Sequence, residues 1–382
     1  MKKGILIILF LAILLFDFPL IVSANNDKEF EGIYNDQLKM SGADKITDSI
    51  PKNTKNSLKN IGISGPDWDE ISNIKSSEVF SEILDIVKKT SYEPIRSIAV
   101  ILSITLLCAL FNGLKTSFGD KPLSRVLGIV STLCICGCII EQEVKCIDNL
   151  SSVIKDTSNF MFIYIPVISG LMISSGQVAT AGSYNFMMIA AGNIISQIAS
   201  RILVPILNMI LAITMVSSVS SKVNLSGLGD IFNKIVKWVL EFTMAIFVTL
   251  LSLQTFVSSA TDNVKTKGMR FAINSFVPIV GGALSDAYST VYGCLKLLRS
   301  GVGAFAILAS SFIFLPPIIE CLIWMISLNI CSAIGDIFEL KQISKILKGS
   351  SKVISTILVI LLCVMTILIV STVIVIVSGG GY

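Results

Sequence analysis

The stretch Val353–Val377 runs for 25 residues without a charged side chain. About 20 apolar residues in a helix suffice to cross the roughly 30 Å hydrocarbon core of a bilayer. In lipid every backbone N–H and C=O needs a partner within the chain, so such a run has to be helical. Further apolar runs recur from residue 95 onward. Composition agrees: 53% of residues are hydrophobic and 15% charged, with a mean hydropathy of +0.80. The 382 residues would suffice for two soluble domains, but this composition points to an all-α, polytopic integral membrane protein. The net charge of +4 carries no nucleic-acid footprint. The charges report instead on which loops stay in the cytosol.

Met1–Ala24 has the form of a secretory signal peptide. Lys2 and Lys3 precede the apolar stretch Ile5–Phe16, and Val22-Ser23-Ala24 supplies small residues for cleavage before Asn25. An uncleaved anchor is the competing reading, opposed by the short apolar core and by Asp17-Phe18-Pro19. Residues 25–94 form a polar, extracytoplasmic arm holding 9 Lys against 13 Asp and Glu, without cysteine. Its first part, 25–65, reads as loosely ordered with short helices. From Ser76 the apolar residues Val79, Phe80, Ile83, Leu84 and Val87 fall at helical spacing. They predict an amphipathic helix for a membrane face or a partner, ended by Tyr92-Glu93-Pro94.

Residues 95–378 are the expected membrane domain. Its spans read as 95–114, 123–140, 160–174, 183–219 (one element or two), 239–260, 302–334 around Pro316-Pro317, and 353–377. That makes about seven. The loop Lys115–Arg125 has three basic residues against Asp120, so the positive-inside rule makes it cytosolic and leaves the arm outside. Thr261–Arg270 also holds three basic residues, yet a simple count of spans puts it outside. The acidic stretch 141–159 predicts an interfacial helix with Val144, Ile147, Leu150 and Ile154 on one face. Residues 225–238 and 336–352 are amphipathic as well.

One segment breaks the pattern. Phe271–Leu298 is apolar but places Pro278, Gly281, Gly282 and Asp286 within nine residues. Proline and glycine break helices, and a carboxylate at membrane depth costs a few kcal/mol. Such a sequence persists as a broken or re-entrant element sheltered inside a bundle. These four residues form the candidate channel or assembly motif, and capping the following helix is a second role open to Asp286. Glu241 and Glu320 lie in or beside apolar runs and stand as weaker candidates, each with an interfacial position as the alternative.

Catalytic equipment is sparse. The chain has no histidine, which removes the commonest general base and metal ligand, and no GxxxxGK[ST] phosphate loop. Cys134, Cys136 and Cys138 sit inside a span, with Cys136 facing away from the other two and no second pair to complete a metal site. The expectation is therefore a chain that is no enzyme and has no cofactor or metal. Small residues such as Gly170, Gly176, Ala181, Gly182, Gly301 and Gly303 favour close helix packing.

The sequence SFVPIVGGALSDA resembles the central signature of the stage III sporulation protein AE family. The preceding SLQTFVSSATDNVKTKGMRFAIN is similar to that family's Q…TD.V..K..KFA..N stretch, and GQVATAGSYNF resembles its earlier G.VTSA element. The polar arm and Ser183-Tyr184-Asn185 depart from the family pattern. The resemblance implies a polytopic component of the AA–AH complex of endospore-forming bacteria. It would lie in the mother-cell membrane around the forespore, working with a cytosolic ATPase, a ring-forming protein and membrane lipid. It implies a secretion-like channel needed for forespore development and late forespore sigma factor activity after engulfment. The alternative is a stand-alone secondary transporter or exporter, against which stands the absence of a convincing second copy of the broken segment.

Overall fold

The computed structural model describes residues 28–118, 121–219, 227–249, 251–252 and 281–378. Among them every regular element is helical. The arm contributes three short helices, α1 (Lys28–Ser41), α2 (Lys52–Asn60) and α3 (Trp68–Ser72), with a 3-10 turn at Ala43–Ser49. Long helices follow: α4 (Ser76–Phe118), α5 (Lys121–Ser174), α6 (Val178–Ile198) and α7 (Val204–Val219). A π-turn over Ala199–Leu203 joins α6 to α7. Then come α8 (227–249), α9 (Gly281–Ile337) and α10 (Lys341–Ser378).

Five of these stretches are long and apolar enough to cross a membrane: Ser76–Leu110, Val130–Ser174, Val178–Ser217, Thr290–Ile337 and Lys341–Ile376. The difference from about seven comes from one fusion in α5 and from the 239–260 span, of which only part is described. Residues 123–140, 141–159 and 160–174 are one 54-residue helix, about 80 Å long at 1.5 Å per residue. Residues 302–315 and 318–334 are likewise one 57-residue helix that carries Pro316 and Pro317 inside it. Pro94 does not end the amphipathic helix, which continues unbroken as α4. A proline removes one helical hydrogen bond, and neighbouring protein or water can satisfy the freed carbonyl. Most of the 239–260 span is described only through residue 252.

The arm is more ordered than its composition implies. Ile46, Leu58, Ile61, Ile63 and Trp68 are buried, and Asp67 caps α3 by accepting from the Asp69 amide. The Trp68 amide donates to the Tyr34 hydroxyl at 3.3 Å, and burial pushes the Tyr34 phenol well above its ordinary range. The arm docks where Gly301 of α9 leaves room: a Cβ there would meet the Pro66 carbonyl oxygen at 3.0 Å.

α9 and α10 form the central antiparallel hairpin. Its turn holds Glu339 in the left-handed region at φ 55°. Asp336 accepts from Ser344 at 2.5 Å and pairs with Lys348 at 2.8 Å. At the other end Gly303 lies against Ile376. On α8 the two faces are mixed in character. Asn233 and Val236 face inward, while Leu228, Ile231, Trp238 and Phe242 are exposed. Asn233 accepts from Thr356 of α10 at 2.8 Å, and Lys352 pairs with Asp230, holding its carboxyl below the usual range. Leu240 and Phe247 are buried as well, while Lys234, Lys237 and Glu241 are exposed, so α8 carries apolar side chains on both faces.

Candidate functional site

Of the residues singled out from the sequence, Ala24, Asn25 and Pro278 lie outside the described residues. Gly281 and Gly282 open α9, and Asp286 falls in its second turn. From Gly281 onward the backbone is regular helix, and any break in 271–298 falls on residues that are not described. Glu241 is exposed on α8. Glu320 is half-buried on α9 and accepts from Asn149 of α5 at 2.9 Å.

That bond borders a half-open cavity of about 450 Å³ lined by the arm, α4, α5 and α9. Three of the prolines inside helices bear on it. Pro94 lacks the N–H that would bond the Thr90 carbonyl, and Pro316 and Pro317 likewise leave the carbonyls of Phe312 and Ile313 without helical donors. Thr90, Phe312 and Ile313 all line the cavity. Glu82, Asp156 and Glu320 contribute carboxylates to its lining, against the single ammonium of Lys89. Glu82 also accepts from Asn60 of the arm at 2.9 Å. Its volume has room for a water cluster, since one water needs only about 10–15 Å³ of space for its centre. The prolines thus remove backbone donors from α4 and α9 beside one polar cavity without ending either helix.

A second polar centre was invisible in the sequence. Arg299, 3% exposed, lies 13 residues beyond Asp286 on α9. It donates to Gln177 at the start of α6, at 2.6 Å, and to the Val375 carbonyl of α10. Val375 belongs to the last turn of α10, whose carbonyls lack helical donors and whose dipole end favours a cation. The guanidinium therefore caps one helix and ties down the turn before another. Tyr164 of α5 and Tyr184 of α6 are fully buried near it.

Glu143 of α5 is the third missed group. It is 0% exposed and neither carboxylate oxygen has a hydrogen-bond partner. A signal was present: Glu143 is in helical phase with Ile139, Cys146 and Leu150, all buried, whereas Val144, placed on the inner stripe from the sequence, is exposed. Cys134 is exposed and Cys136 buried. Among the described residues no three metal-ligating side chains converge.

Comparison with known proteins follows this geometry closely in extent. The model of the family described as Stage III sporulation protein AE matches residues 68–379, from α3 to the end of α10. Stage III sporulation protein AE of Bacillus subtilis (strain 168) is 20% identical over 210 residues, which cover 55% of this chain and 53% of that relative. The chain thus spans about half the length of the curated relative it matches. No solved structure matches it.

Proposed function

From the premise that the chain belongs to the stage III sporulation protein AE family, we propose that it is the polytopic membrane component of a sporulation-specific, secretion-like complex between mother cell and forespore. Family membership supports the role in sporulation, and the five long apolar helices support a place in the membrane. The finer reading is ours: a seat in the mother-cell membrane around the forespore, assembly with the AA–AH proteins, and service to forespore development and late sigma factor activity. The arm, led out by the signal peptide Met1–Ala24, faces away from the mother-cell cytosol in this scheme. Energy comes from a separate cytosolic ATPase in this scheme, as the family resemblance implies.

The observation that carries the reading is the match over residues 68–379. Deletion of the gene is expected to leave vegetative growth intact and to arrest sporulation after engulfment, with small or collapsing forespores. Normal spores from the deletion strain would refute it. The polar cavity between the arm and the bundle favours one second reading, a stand-alone exporter. Purified protein that moves solute alone in proteoliposomes and co-isolates with no membrane partner would establish that reading instead.

A further inference from the structure

Glu143 sits where a carboxylate has no means of support. It is fully buried, both oxygens are unpartnered, and the Ser350 hydroxyl of α10 beside it is also buried without a partner. The register of α5 against α9 adds a third group. Asn149 bonds Glu320, and Cys146 reaches the Cys321 thiol. The two helices run antiparallel, so Glu143 comes level with Trp324. The indole Nε1 of Trp324 is again buried and unpartnered, in a side chain only 1% exposed. An acceptor and two donors, each unsatisfied, thus share one level of the contact among α5, α9 and α10.

The nearest charges do not answer Glu143. On its own helix only the thiols of Cys136 and Cys146 feel its field, and Lys145 is turned to Glu141 at 2.8 Å. On α10, Lys348 is engaged by Asp336 and Lys352 by Asp230. On α9, Glu320 bonds Asn149. Glu93 and Arg96 of α4 are exposed, and α7 carries no charged residue. A buried carboxylate with no cation to pair with and only uncharged groups beside it is poorly tolerated in a bundle, and a proton is the smallest ligand that removes its charge.

We propose that Glu143 is an intramembrane proton-binding site, loaded from the polar cavity and seated against Ser350 of α10. A route is present on α5: Asp156 and Asn149 line the cavity, and Cys146 and then Glu143 follow at steps of three residues along one face. Hydration of the cavity by the proline-freed carbonyls brings water to the head of that face. The proton comes from that water, and the neutral carboxyl gains an O–H to offer. Loss of the proton places a charge between α5 and α10, so the packing of the central hairpin depends on proton availability. This gives the chain a means of sensing a proton gradient, independent of the sporulation reading.

The test uses the full chain in lipid nanodiscs and infrared spectroscopy of the protonated carboxyl C=O stretch. Wild type is expected to show a band that disappears as pH rises, missing in Glu143→Gln and retained in Glu320→Gln. Thermal stability should fall with rising pH in wild type, because the folded state holds a proton that the unfolded chain releases, and this fall should be absent in Glu143→Gln. Ser350→Ala, which keeps the acid but alters its surroundings, should shift the band's frequency without removing it. If Glu143→Gln does not fold, that frequency shift alone decides the matter. A wild type with no such band at any pH, a band unchanged in Glu143→Gln, or one indifferent to Ser350→Ala overturns the proposal.

Discussion

Replacing Gly301 should undock the arm. A Cβ at 301 would lie 3.0 Å from the Pro66 carbonyl oxygen, 3.3 Å from the Trp68 amide nitrogen and 3.6 Å from its Cα. All three are main-chain atoms, fixed by the Tyr34–Trp68 bond and by α3, and cannot rotate away as a side-chain end would. Gly301→Ala therefore compresses the contact at a cost of about 1 kcal/mol, the low end for overpacking, whereas Gly301→Leu reaches about 3 kcal/mol or expels the arm. At 1.4 kcal/mol per decade, the larger figure raises the undocked population about a hundredfold. Gly293 is the control: it lies on the same helix and a Cβ there meets nothing within 4 Å. Alanine there should be neutral or slightly stabilising, since glycine inside a helix costs about 1 kcal/mol. Limited proteolysis of residues 28–72 reads the docked fraction, and Trp68 fluorescence reports the same event. Equal protease protection in Gly301→Leu and Gly293→Leu would refute the reasoning.

Two further outcomes follow from the geometry. Arg299→Met deletes the bonds to Gln177 and to the Val375 carbonyl, each worth about 1.5–3 kcal/mol as a bond to a charged group. With the relief of burying no cation set against them, a net loss of about 2–4 kcal/mol in unfolding stability is expected. Arg299→Lys should recover part of it, and a Met variant as stable as wild type would disprove the capping role. Asp44, exposed in the arm, should as cysteine react with an impermeant maleimide in intact cells, whereas Ser117→Cys should react only after permeabilisation. The reverse pattern would invert the topology.

Helical periodicity made the elements legible. The stripe at Ile147, Leu150 and Ile154 is buried as read, and of the small residues Gly301 and Gly303 sit at close approaches, whereas a Cβ at Gly170 or Gly182 would meet nothing within 4 Å. The helix end read at Pro94 was a misreading, because proline was judged by its behaviour in an isolated helix. At Pro94, Pro316 and Pro317 the lost bonds open onto a polar chamber, which no local pattern announces. Arg299 was passed over for a related reason: its partners stand 122 and 76 residues away. Glu143 was readable from its phase with apolar neighbours, but the surrounding acidic stretch suggested an interfacial helix.

Two helices of similar hydropathy do different work here. The most apolar stretch of α9 is 78% buried against protein, that of α4 only 22%. Lipid accepts any side chain greasy enough to dissolve in it, whereas a protein neighbour accepts only the shape it already fits. On α4 mutation can therefore wander among leucine, isoleucine, valine and phenylalanine with little penalty. On α9 the same exchanges meet a mould. The two helices drift at different rates over evolutionary time, and a random mutagenesis library would find its dead clones concentrated along the hairpin core, with the exposed perimeter left almost blank.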